Sequence, residues 1–419
     1  MRIGQPDHGH DAVTGGFITH ASLMPCSDVS RRPAGTGDLL LRFPFLPASD
    51  LLRSDQFVRR QDSGAKWMVA EQCWLLLFVS HRWETRRHPD PCGRQHRAVT
   101  RLVSDLCDLW DGLGAEDARE RIRLVPRLDQ HGMAQAAVLL SRLDLPGNIS
   151  ERNRGQSARD FLPEHIGIWY DYACLPQEPR SPAEEAEFRA GMLALPELFG
   201  SEAVTLVALR ESGDDYRNRA WCLAEALLTA NKAGSQGVAV RMDLLGTTLE
   251  LGAEGQGRNL GLSRRLRAAL DGWADAATDA AAAANCLSML AVIAGHSPSE
   301  WFAPSDGIAP VYLGDVVSIA GVWLGSVLAR LGRQQGRPVD LATVLREVAD
   351  RAGVRSAVEN DLVLVTLLML HGESAPQTAI RAFYQQCMER HLSGRPLVVR
   401  PMVEPGPMLS YEDLRLTFE

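Results

Sequence analysis

Trp74-Leu75-Leu76-Leu77-Phe78-Val79 runs without a break into Ser80-His81-Arg82-Trp83-Glu84. Six consecutive apolar residues with no polar alternation are what a central strand needs when both faces of its sheet are covered. The neighbouring sequence continues the pattern. Gly93 to Leu113 carries Val99, Leu102, Val103, Leu106, Leu109 and Trp110 at helical spacing. Ile166-Gly167-Ile168-Trp169-Tyr170 reads as a second strand, Ala203 to Leu209 as a third and Gly237 to Met242 as a fourth. Asp215 precedes a helix predicted from about Arg217 to Asn231. Strands alternating with helices predict an α/β fold, a parallel sheet with flanking helices.

Three regions follow from this frame. Residues 1–65 are rich in Gly, Pro and Arg, with Leu39-Leu40-Leu41-Arg42-Phe43 as the one strand-like run. They are expected to form an N-terminal extension, packed on the next region or partly mobile. Residues 66–246 hold the α/β pattern. Gly246, Gly252, Gly255, Gly257 and Gly261 then mark a linker. Gly255-Gln256-Gly257 only echoes a dinucleotide loop, because no clear strand leads into it. Residues 247–419 are expected to form a mostly α-helical C-terminal domain with a regulatory or oligomerisation role. There Asp340 can cap a helix that ends at Arg351 before Gly353, Ser374 can cap one reaching His391, and Ser410 with Asp413 resembles a capping box.

Composition excludes several classes of function. The 419 residues hold 44 Lys+Arg against 52 Asp+Glu, a net charge of −8. Lys66 and Lys232 are the only lysines, which leaves 42 arginines. Neither lysine stands in a Gly-Lys-Ser/Thr context, so a P-loop nucleotidase is excluded. An acidic chain without a lysine-rich run is a poor nucleic-acid binder, and no nucleic-acid partner is expected. With 45% apolar and 23% charged residues the chain has ample material for buried cores.

The apolar stretches Val316 to Ala329 and Ala280 to Ala294 fall short of the roughly 20 residues of a spanning helix. Buried helices and no membrane partner are therefore expected. No basic segment followed by an apolar core opens the chain, and the eight cysteines show no paired spacing. A reducing, cytoplasmic location is the expectation. His81, His88, Cys92 and His96 carry zinc-type donors, but Pro89 and Pro91 interrupt them and no zinc module has that spacing. No metal site is expected.

Ligands in open α/β sheets bind outside the carboxyl ends of the strands. Ser80-His81-Arg82-Trp83-Glu84 and Asp171-Tyr172-Ala173-Cys174 each follow a predicted strand directly. Trp221 and Glu225 lie four residues apart on one face of the predicted helix. Each piece also has a purely structural reading. Glu225 alone is what a solvated helix glutamate looks like, Trp221 suits a core anchor, and Ser80, His81 and Asp171 suit strand-end and turn contacts.

Together these residues resemble the Toll/interleukin-1 receptor (TIR) domain family. The most specific part is Arg219-Ala220-Trp221-Cys222-Leu223-Ala224-Glu225, which is similar to the Trp-Cys-x-x-Glu motif of plant-type members. Ser80-His81-Arg82-Trp83-Glu84 stands where those members read Ser-Phe-Arg-Gly-Glu. The resemblance covers roughly Trp74 to Leu245. It departs from the family in a long stretch from Gly114 to Pro163, in Trp83 at a small-residue position, and in the Cys174-Leu175-Pro176-Gln177 loop.

The resemblance implies a TIR/flavodoxin-like sheet and cleavage of the nicotinamide–ribose bond of NAD by Glu225. It further implies binding by Ser80, His81, Arg82, Trp83, Asp171 and Trp221, no cofactor beyond NAD as substrate, and a self-assembling defence effector answering an upstream sensor or activating ligand. Two other classes share the same residues. One is a non-enzymatic TIR-like signalling adaptor. The other is an N-glycosidase acting on a different nucleoside or nucleotide.

Overall fold

The protein is described from a computed structural model. It describes residues 43–113, 155–201, 203–210, 215–225, 239–243, 339–356, 361–362, 386–395, 398–401 and 416–418, with isolated positions at 136, 139, 140, 143, 281 and 284. The run Leu39 to Arg42, the glycine-rich linker, most of both long apolar stretches, and the expected caps at Ser374 and Ser410 lie outside the described residues.

Apolar runs became the strands. β1 (Leu46–Pro47), β2 (Leu75–Ser80), β3 (Ile166–Trp169), β4 (Val204–Arg210) and β5 (Ala239–Asp243) form one sheet in the order β1-β3-β2-β4-β5. The pairs β3–β2, β2–β4 and β4–β5 are parallel, whereas β1 runs antiparallel to β3. The sheet is therefore mixed and the architecture α/β. All six residues of β2 and all four of β3 are buried, as their unbroken hydrophobicity requires.

The helix Arg94–Leu113 lays Val99, Leu102, Val103, Leu106 and Trp110 into the core, the face set by its period. A second long helix, Pro182–Gly200, crosses from β3 to β4 and has no counterpart in the sequence expectations.

Residues 43–65 are packed on this unit. Phe43, Phe45, Leu51 and Phe57 are fully buried in the same core, and β1 extends the sheet by one short edge strand. Phe45 and Met68 exchange backbone hydrogen bonds that tie this segment to the start of the α/β pattern.

In the C-terminal part, the helix Leu341–Ala352 follows Asp340 and ends at Gly353, whose φ of 71° suits the left-handed position beyond a helix end. A helical turn covers 386–392. The described residues also contain a sheet in the order β6-β7-β8, built from β6 (Val339–Asp340), β7 (Val398–Pro401) and β8 (Leu416–Phe418), which the helical expectation did not include. No described helix is long and apolar enough to cross a membrane.

Candidate functional site

From β2 the chain moves to β3 on one side, then returns to place β4 on the other. Such a reversal opens a crevice at the carboxyl ends of the two diverging strands. Ser80 is the last residue of β2 and completely buried there. Its hydroxyl donates to Glu225 Oε2 and also meets the Tyr216 hydroxyl. With Glu225 ionised, the chain of donors runs from Tyr216 O–H to Ser80 Oγ and from Ser80 O–H to the carboxylate. Linked donors of this kind polarise one another.

Glu225 reaches this point because of the segment before it. Residues 216–218 form a 3-10 turn, so the helix begins at 220, about three residues later than the sequence predicts. The Cys222 thiol donates to the His81 carbonyl across 3.4 Å and pins that helix to the end of β2.

His81 and Asp171 form the second half of the site. The His81 ring lies on Tyr170 at 4.0 Å between centroids, and Tyr170 lies on Phe57 at 3.7 Å. Nδ1 of His81 is 3.1 Å from the Val79 carbonyl, so Nδ1 carries a proton. Nε2 then faces Asp171 Oδ1 at 3.3 Å, an ion-pair approach rather than an aligned hydrogen bond. Asp171 opens a short helix, Asp171–Cys174, and accepts from the Tyr172 amide and, at 2.9 Å, from the Trp83 indole N–H.

These contacts set the charges. Burial works against a charged His81, but the Asp171 carboxylate outweighs it and raises the imidazole above its ordinary value. Burial likewise opposes the Asp171 carboxylate, and His81 and Trp83 more than compensate, lowering it. Glu225 behaves differently. Burial pushes its carboxyl up to about 8, with Asp171 adding to the rise, while the Ser80 hydrogen bond and His81 pull the other way. A half-buried carboxyl raised this far at the end of a central strand, beside an opposite pair, is one of the patterns that functional acids and bases show.

The His81–Asp171 pair carries a stability prediction. His81, raised above 6.5, contributes fully below that pH and loses its contribution as pH rises through its folded value. Asp171, lowered below 3.8, contributes fully above that pH and loses it as pH falls through its folded value. Both contributions are complete between 3.8 and 6.5. The Asp171 side chain keeps 35% of its surface exposed. Asp171→Asn is therefore expected to cost about 1–2 kcal/mol, less than breaking a fully buried pair. Urea denaturation should show the widest gap from wild type inside that pH window and a narrower one at either side.

Comparison with protein-family models, with curated proteins and with solved structures found no match. The site therefore rests on its own geometry.

Of the seven residues expected at the site, the structure brings together Ser80, His81, Trp83, Asp171 and Glu225. Arg82 contacts Asp215 at 3.4 Å, while the Gln95 side chain holds the Arg82 carbonyl. The Trp221 indole lies against Asp361 and favours its charged form. Trp83 is half-buried and meets Tyr172 edge-on at 5.8 Å.

Tyr216 and Cys222, which lie in the Tyr216-Arg217-Asn218-Arg219 and Trp221-to-Glu225 segments but were given no role of their own by the sequence, also join the site. Tyr216 sits in the loop after β4, five residues before Trp221, and its complete burial against Ser80 is what gives it a place in the site. His88 Nδ1 accepts from the Asp90 amide and His96 faces the Leu51 carbonyl, so neither turns toward His81. Among the described residues no group of three His, Cys, Asp or Glu side chains converges as a metal site.

Proposed function

We propose that this chain is a NAD+ glycohydrolase of the TIR type, with Glu225 as its acting carboxylate. The observation that carries this reading is the Glu225 side chain held by Ser80 at the carboxyl end of β2, the strand flanked by β3 and β4. The order of the parallel strands, β3-β2-β4-β5, supports it, because a flavodoxin-like sheet has the same order. Self-assembly and a role in defence belong to the same proposal, through the family resemblance.

The chemistry suits the residues. Nicotinamide in NAD is a pyridinium, so the glycosidic C1′–N bond breaks with its electron pair passing to the ring nitrogen. No general acid is needed for that departure. Positive charge develops on the ribose, as at any glycosidic centre. An ionised Glu225 beside C1′ stabilises that charge in a water-poor crevice, where it counts for more than in bulk water. Water then adds to C1′ and gives up a proton, for which the same carboxylate is the adjacent acceptor.

The test is nicotinamide release from NAD by the purified full-length protein, over a range of protein concentrations that allows self-association. Absence of release across that range, from pH 6 to pH 9, would remove the reading. The pH dependence gives a sharper check. Only ionised Glu225 can act, and its value near 8 means that kcat/KM rises with pH up to about that point. Ser80→Ala removes a hydrogen bond that lowers the Glu225 value, so the midpoint of the profile is expected to move upward. A midpoint that stays in place would show that Ser80 does not hold the acting carboxylate.

A further inference from the structure

The helix that carries Glu225 is held at its start by a segment more than a hundred residues further along the chain. Ala220 is its first helical residue, and a first-turn amide has no partner within its own helix. The Ala220 N–H donates instead to the Arg355 carbonyl at 2.9 Å, and the Arg355 N–H donates to the Asn218 carbonyl at 2.6 Å. These two bonds make a parallel bridge between Arg219 and Arg355.

A few residues further on, Asp361 is 8% exposed. It receives the Trp221 side chain, the Ser356 hydroxyl at 3.0 Å on Oδ2, and His391 Nε2 at 3.6 Å from Oδ1. One buried carboxylate thus joins residue 221 beside the site, the loop after the helix Leu341–Ala352, and the turn 386–392. That turn is itself anchored, because Arg189 of the crossing helix donates to the Leu392 carbonyl at 2.8 Å.

We infer that Asp361 is a positioning residue of the site, which sets Glu225 by holding the Trp221 indole four residues before it. The C-terminal region then completes the site instead of acting as a detachable appendage. Trp221 and Glu225 share one face of the helix, so a rotation that frees the indole also swings the carboxylate away from Ser80. Asp361, Ser356, His391 and Arg355 thereby tie the C-terminal region to the carboxylate, which is taken to be the acting group as proposed above.

Hydrogen exchange and kinetics on the full chain test this together. Asp361→Ala is expected to speed amide exchange over 220–225 at least tenfold, leave the β2 and β4 amides protected, and lower kcat for nicotinamide release more than it changes KM. Asp361→Asn keeps an acceptor for the indole N–H and should restore both readings to near wild type. Trp221→Phe removes the indole N–H and keeps an aromatic ring, and should reproduce the Asp361→Ala exchange pattern.

Unchanged exchange over 220–225 in Asp361→Ala would overturn the inference. If Asp361→Ala also exposes β2 and β4, the other two variants decide: fast exchange in Trp221→Phe with wild-type exchange in Asp361→Asn upholds it, and any other combination overturns it. A wild-type protein that releases no nicotinamide would remove the proposed activity, and the exchange results would still judge the role of Asp361.

Discussion

Glu225→Gln is expected to lower nicotinamide release by about 100- to 1,000-fold or more, the range found when a preorganised group that stabilises developing charge is removed. The amide keeps the shape of the side chain and its contact with Ser80, so the loss isolates the charge. The same substitution is expected to raise the melting temperature at pH 8. A carboxyl whose folded value lies near 8, against an ordinary 4.5, costs the folded state stability as pH rises between those values. Glutamine removes that cost. A catalytic loss accompanied by a gain in stability is the signature of a strained functional group. Release that survives the substitution would take Glu225 out of the chemistry.

The second large effect is structural. Tyr170 is completely buried, with Phe57 on one face of its ring and His81 on the other. Its hydroxyl donates to Gln95 Oε1 at 2.7 Å. Tyr170→Ala empties the middle of that stack and is expected to cost about 3–5 kcal/mol, as other large aromatic truncations do. It also removes the surface that holds the His81 ring against Asp171. Tyr170→Phe keeps the stack and leaves the buried Gln95 oxygen with one partner fewer, at a cost of about 1–2 kcal/mol. Denaturant unfolding separates the two. Equal losses would mean that the hydroxyl, not the ring, is what matters.

Those two sites differ in how far the sequence exposes them. β2, β3 and β4 are continuous apolar runs, and burial on both faces leaves no other economical explanation for such runs. The helix Arg94–Leu113 shows its buried stripe openly. The helix Pro182–Gly200 does not, because Gly191 and Pro196 read as breakers and its apolar residues follow no single face. β1 has two residues, one of them proline, and becomes a strand only because β3 offers it a partner.

At the site, Ser80 and Glu225 could be found because strand ends and a helix motif point to them. The pairing of His81 with Asp171, 90 residues apart in the chain, became visible only once β2 and β3 were placed side by side. Asp361 and His391 carry no local signal at all. Only packing brings them to Trp221.

The two-residue strand β1 has a consequence for how copies of this chain can join. Pro47 has no N–H to offer, so the outer edge beyond β3 cannot template a long run of backbone pairing with an incoming strand. The helix Ala48–Leu52 follows at once and turns the chain out of the sheet. With the Phe45 backbone already paired to Met68, Pro47 leaves that border little to offer an incoming strand of a growing filament. Self-association of this chain, if it is to block or support the proposed activity, is expected to use other faces, and substitutions that abolish it are expected to map away from Pro47.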